Sequence, residues 1–128
     1  MQVLVLDDEP IVGKRLKPML TRMGCTVEIF EKPSEALKRI DERDFDVVIT
    51  DLRMDEIDGI DVLERVMDKS PRTRVIMITG YAMMELARKA MEKGAFDFID
   101  KPFRPDDLKA VVGKAAESLG IALTPVAG

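Results

Sequence analysis

The chain has 128 residues, 46% of them hydrophobic, enough for one ordinary domain whose core needs no disulfide or metal staple. Its net charge of -4, its pI of about 4.9 and the lack of a basic stripe interleaved with aromatics speak against direct nucleic-acid binding. Histidine is absent, which removes histidine nucleophiles, phosphohistidine carriers and most zinc sites.

Residues 2–7, QVLVLD, predict a first strand. Asp7, Asp8 and Glu9 halt the apolar start too early for a signal peptide or a membrane span, so a soluble, cytoplasmic protein is expected. Val12, Leu16, Met19, Leu20 and Met23 then recur at helical spacing, with Gly24 placed to end that helix and Pro18 expected to kink it. CTVEIF, 25–30, is the second strand, placed at the sheet edge. Its Cys25 is the lone cysteine and reads as a small buried hydrophobe, having no histidine to activate it.

Pro33 opens a second helix over SEALKRI, and FDVVIT, 45–50, is a third strand running straight into Asp51. A third helix is expected from about 57 to 68, with Val62, Leu63, Val66 and Met67 inward and Gly59 easing the backbone at its start. RVIMITG, 74–80, makes the fourth strand, and residues 84–93 a fourth helix ended at Gly94. Met83, Met84 and Met91, on or just before that helix, read first as core fillers, although one or two left exposed would suit an adaptable docking surface. FDFID, 96–100, is the fifth strand, and Pro105 opens a fifth helix reaching Leu119. The closing IALTPVAG has no evident packing partner, so the division expected is a domain over 1–119 and a flexible tail or linker stub over 120–128.

Strand and helix alternate five times, (βα)5, which predicts an α/β fold: a doubly wound five-stranded parallel sheet with helices on both faces. Ligands of such sheets bind beyond the carboxyl ends of the strands. Those ends carry Asp7-Asp8, Asp51, Thr79-Gly80 and Asp100-Lys101-Pro102. Two unit charges about 4 Å apart repel by roughly 4 kcal/mol at an effective dielectric of about 20, so crowded acids must take up protons or hold a cation. Oxygen donors without histidine or cysteine select a hard divalent ion such as Mg²⁺. A carboxylate nucleophile, a metal, a hydroxyl and a lysine together suit phosphoryl transfer. Taken singly, each residue reads more simply as a turn former, a cap or a solvated charge.

LVLDDEP, VVITDLRM followed by DG, VIMITG and FIDKPF resemble, in order, the receiver domain of bacterial two-component response regulators, of the chemotaxis-regulator-like kind. The likeness spans about residues 2–119. It implies the flavodoxin-like strand order 2-1-3-4-5 and a phosphorylation-activated switch in a phosphorelay or in transcription regulation. It also implies that Asp51 is the phosphoacceptor and that Asp7, Asp8, Asp51 and the backbone carbonyl of Arg53 hold Mg²⁺. Thr79 matches the switch hydroxyl and Lys101 the lysine that pairs with the phosphoryl group; Pro102 follows in what is often a cis bond, and Phe98 matches the aromatic switch position. Arg53 and Tyr81 match positions that tune phosphoryl lifetime, here expected to lengthen it by hindering water.

Asp55 replaces a proline common in relatives, which implies a looser loop, while Asp55, Glu56 and Asp58 read as solvated charge. The partners implied are a sensor histidine kinase or phosphotransfer protein and an output domain or partner reached through the fourth-helix, fifth-strand, fifth-helix face. A homodimer through that face is left open. Such a domain catalyses its own phosphorylation and slow dephosphorylation without being a conventional enzyme. Three rival readings fit the sequence less well. A haloacid-dehalogenase-type phosphatase places its nucleophile on the first strand in a D-x-D pattern, and a flavodoxin-like carrier needs a hydroxyl-rich loop where DDEP stands. A binding-only receiver is opposed by the full set Asp7, Asp8, Asp51, Thr79 and Lys101.

Overall fold

The structure, a computed structural model, describes residues 1–54, 57–80 and 84–126. Among the described residues the apolar runs form five strands: β1 (Gln2–Leu6), β2 (Thr26–Phe30), β3 (Val47–Asp51), β4 (Arg74–Thr79) and β5 (Asp97–Asp100). Five helices alternate with them: α1 (Pro10–Arg22), α2 (Pro33–Glu42), α3 (Gly59–Lys69), α4 (Met84–Glu92) and α5 (Pro105–Ser118). Every strand pairing is parallel and the order is β2-β1-β3-β4-β5, the arrangement expected from the sequence.

Alternation along the strands serves two cores. Leu4, Leu6, Val48 and Met77 point to one side, where they meet Ala36 of α2, Leu63 of α3 and Ala90 of α4. Val3, Val5, Ile49, Ile76 and Ile78 point to the other, against Leu16 of α1 and Leu108 and Val112 of α5. Covering both faces is why these strands carry so few polar residues. Cys25 lies buried in the second core, and burial raises its thiol pKa, as suits an inert hydrophobe.

Several expectations need correction. The third helix begins at Gly59, two residues later than read, because extended Asp58 caps it: Asp58 Oδ1 accepts from the Asp61 amide at 2.9 Å. Asp58 is therefore a cap as well as a solvated charge. Helix α1 does run on through Pro18, as expected; Pro18 is exposed, while Leu16 and Leu20 hold the inner face of the helix against the sheet. Met84 and Met91 are exposed and do not fill the core; the inward stripe of α4 is Ala87 and Ala90, and the methionines flank it.

The tail also finds a partner that the sequence did not reveal. Ile121 and Leu123 lie half-buried against the α1–α5 core. The Val126 amide donates to the Arg22 carbonyl at 2.8 Å. Gly24, at φ 97°, makes room for this crossing, since a Cβ there would stand 2.4 Å from the Thr124 carbonyl oxygen.

Candidate functional site

In a parallel sheet all carboxyl ends share one rim, and here β1 and β3 lie side by side at its centre, with Leu6 paired to Thr50. The next residues along, Asp7 and Asp51, therefore emerge together. Both are nearly buried, at 2% and 7% exposure, because flanking strands and loops wall them in. Asp8 follows Asp7 onto the exposed side of the same rim. One oxygen from each of Asp7, Asp8 and Asp51 lies within 4.8 Å of the others, close enough to share a metal ion.

Lys101 reaches in from the end of β5. Its Nζ stands 3.1 Å from Asp51 Oδ2, 3.2 Å from Asp7 Oδ2 and 3.2 Å from Glu9 Oε1. Burial works against the lysine's charge, yet the carboxylates of Asp51 and Asp7 outweigh it and raise its pKa. Asp7 behaves in the opposite sense. Burial, aided by the nearby Asp51 charge, pushes its carboxyl up to about 6, although the Glu9 amide, 2.8 Å from Oδ1, and Lys101 pull it down. One lysine does not fully compensate these acids.

The residues fit a hard divalent cation. Asp7 Oδ2 is buried and has no hydrogen-bond donor among the described residues; its 3.2 Å approach to Lys101 is an ion pair outside hydrogen-bond geometry. Such an atom is costly to bury unless a cation completes it. With carboxylates alone as side-chain donors, Mg²⁺ is the natural class.

The backbone around Asp51 is tightly held. Asp51 Oδ1 accepts from the Arg53 amide at 3.2 Å, and the Gly59 amide donates to the Leu52 carbonyl at 2.8 Å, drawing the start of α3 back onto the end of β3. A Cβ on Gly59 would come within 2.5 Å of the Asp51 carbonyl oxygen, so the close approach requires glycine. Arg53 itself is exposed at the rim.

Thr79 ends β4, fully buried, and its hydroxyl donates to Asp100 Oδ1 at 2.7 Å. Phe98, two residues before Asp100, is half-buried against the core shared with α4. The Lys101–Pro102 bond is cis. Tyr81, Asp55, Glu56 and Met83, about which the sequence raised expectations, lie outside the described residues. Nothing in the sequence singles out Glu9 or Asp100 for a role. Their signals were adjacency alone, Glu9 in DDEP and Asp100 beside the lysine, and adjacency does not say which side chains meet.

Two acids on adjoining strand ends, bridged by a lysine from a third, narrow the choice of family, and comparison with known proteins decides it. The model of the response regulator receiver domain matches residues 3–113. The chain belongs to that family. It is 32% identical over 113 residues to the DNA-binding transcriptional regulator NtrC of Proteus hauseri, covering 88% of this chain and 24% of that protein. It is 35% identical over 116 residues to the regulatory protein AtoC of Escherichia coli, covering 91% of this chain and 25% of that one. This receiver domain thus spans about a quarter of the length of the curated relatives it matches.

Among solved structures, a response regulator receiver domain protein from Clostridium thermocellum superposes with a TM-score of 0.87 at 32% identity, over 91% of this chain and 94% of that one. A CheY-like receiver domain protein from Methanospirillum hungatei gives 0.88 at 28% identity, over 93% and 95% of the two chains. The fold and the family are those of two-component signalling. Among the described residues of this receiver, no helix is long and apolar enough to cross a membrane.

Proposed function

We propose that residues 1–119 form the receiver unit, that 120–128 are a tail or linker, and that Asp51 accepts a phosphoryl group. The observation that carries this reading is the setting of the Asp51 carboxylate: held at the end of the central strand, beside two further acids and 3.1 Å from Lys101. An Asp51 carboxylate oxygen attacks phosphorus, a P–O bond to Asp51 forms, and the P–N bond of a donor phosphohistidine, or the P–O bond of acetyl phosphate, breaks with its electron pair leaving on the donor. Lys101 offsets negative charge during that transfer, and the Arg53 amide keeps the carboxylate aimed.

Asp7, Asp8 and Asp51, with the backbone carbonyl of Arg53, would hold Mg²⁺, whose chemistry is to offset charge on the phosphoryl oxygens. Thr79 is the hydroxyl that turns toward the new phosphoryl group, and Phe98 repacks behind it, changing the α4-β5-α5 face read by an output domain or partner. Exposed Met84 and Met91 give the α4 side of that face an adaptable apolar surface. A homodimer through it is one way of reading the output.

The donor is a sensor histidine kinase or phosphotransfer protein in the cytoplasm. A groove of about 720 Å³ opens beside Lys101, lined by Ile11, Arg15 and Met19 of α1 and by Phe103 and Lys109 across from them. It gives such a donor apolar footing next to the acceptor. Arg53 and Tyr81 tune how long the phosphoryl group lasts. The domain catalyses its own phosphorylation and slow dephosphorylation.

Intact-protein mass spectrometry after incubation with Mg²⁺ and acetyl phosphate tests the proposal. One added phosphoryl group is expected, absent from Asp51→Asn and absent with EDTA. An unmodified wild type, or an equally modified Asn variant, overturns it.

A further inference from the structure

Asp100 is bound to Thr79 in a way that the transfer reaction does not require. The pairing of β4 with β5 sets Thr79 opposite Asp100, and the Lys101 amide donates to the Thr79 carbonyl at 2.7 Å, so the two strand ends are locked in register. Across that register the Thr79 hydroxyl donates a hydrogen bond to Asp100 Oδ1 at 2.7 Å, with the Ile99 carbonyl oxygen a more distant 3.4 Å away. A threonine hydroxyl has one proton to donate. While a carboxylate holds that proton, a phosphoryl oxygen on Asp51 has no claim on it. The bond is charge-assisted, hence stronger than one to a neutral acceptor.

We propose that Asp100 is a latch: it holds the Thr79 hydroxyl on the β5 side and so biases the resting domain toward its inactive arrangement. This rests on the reading of Asp51 as phosphoacceptor and Thr79 as the hydroxyl that moves. Two acceptors compete for the hydroxyl: the Asp100 carboxylate at rest, and a phosphoryl oxygen once Asp51 is phosphorylated. Asp100 is otherwise exposed to water, so it is rehydrated readily when Thr79 leaves, and the latch is reversible. Because only the unlatched fraction is ready to clasp the phosphoryl group, the latch weakens apparent affinity for it by that fraction. Asp100 is therefore a positioning residue, acting through Thr79.

The test uses beryllofluoride with Mg²⁺ as the phosphoryl analogue and the Thr79 methyl NMR signal as the readout. In wild type the signal moves between a free and a saturated position. In Asp100→Ala the resting signal is expected to lie part-way along that line, and half-saturation to need about three- to tenfold less beryllofluoride. Asp100→Asn keeps an acceptor oxygen without the charge and is expected to fall between the two, which guards against an alanine variant that folds poorly. Half-saturation unchanged from wild type in both variants overturns the latch alone, whatever the resting signal, because losing a group 2.7 Å from the Thr79 hydroxyl shifts that signal by itself. A wild type that binds no beryllofluoride overturns the Asp51 reading and the latch with it.

Discussion

Asp7 carries an electrostatic debt in the metal-free domain. Its carboxyl is raised from the ordinary 3.8 to about 6, chiefly by burial. The folded state therefore holds a proton that the unfolded chain has released between those values. Stability from this group is fully present below pH 3.8 and is lost as pH rises through about 6. A shift of this size corresponds to at most about 3 kcal/mol. Urea unfolding in EDTA is expected to show wild type less stable at neutral pH than at about pH 5 by more than Asp7→Asn is. At neutral pH the Asn variant is expected to be the more stable by roughly 1–3 kcal/mol. Mg²⁺ is expected to reverse that order, stabilising wild type and leaving the variant almost unchanged. An Asn variant no more stable than wild type in EDTA would show that Lys101 already balances the site. The cost of keeping a carboxylate ready for a cation thus becomes measurable when the cation is removed.

At the scale of elements, the junction of β3 with α3 determines how rigidly Asp51 is presented. Gly59 is buried, and the space its missing Cβ leaves is filled by the Asp51 carbonyl and the Leu52 Cα, at 2.5 and 2.8 Å. Both are backbone atoms, so the neighbours cannot rotate away as a side chain would. Gly59→Ala is expected to destabilise by about 1–3 kcal/mol, as overpacking does, and to slow phosphorylation by displacing the strand end. Chemical denaturation and the acetyl phosphate assay report the two effects separately. Alanine tolerated at less than about 0.5 kcal/mol would mean that the junction yields more easily than the contacts imply. Gly80 is a useful comparison: among the described residues no heavy atom lies within 4 Å of its would-be Cβ, so alanine meets no obstacle from them.

Across the whole molecule, the segment after α5 joins the last helix to the first. Ile121 and Leu123 cover part of the α1–α5 core, and Val126 is tied to Arg22. Removing residues 120–128 is expected to cost about 1–3 kcal/mol, from two partly buried aliphatic side chains, while leaving phosphorylation of Asp51 intact. Thermal melts of the full and shortened chains decide this. Equal stability would return the segment to the role of a bare linker. The segment lies at the opposite end of the sheet from the acidic rim, since it follows α5 back to the start of β2, where the Thr26 amide meets the Met1 carbonyl. Stability and chemistry are therefore expected to separate cleanly in this variant.

Much of the molecule was determined locally and could be read from the chain. The first, third and fourth strands followed from nearly continuous apolar runs, helix limits from Pro33, Pro105, Gly24 and Gly94, and parallel topology from strict alternation. That Asp7, Asp51, Thr79 and Lys101 share one rim followed from topology, because parallel strands align their carboxyl ends. What the sequence could not determine was direction and partnership at the scale of single side chains. Whether Thr79 donates to Asp100, whether Glu9 joins Lys101, and whether the tail docks on α1 all depend on distances of about 3 Å between residues far apart in the chain. Hydrophobic periodicity records which face of an element is buried, and it carries no information on which polar atom across that face receives a proton. Those choices were made only when the packed backbone brought the groups together, since a hydrogen bond is decided by position and angle and a core chiefly by composition and spacing.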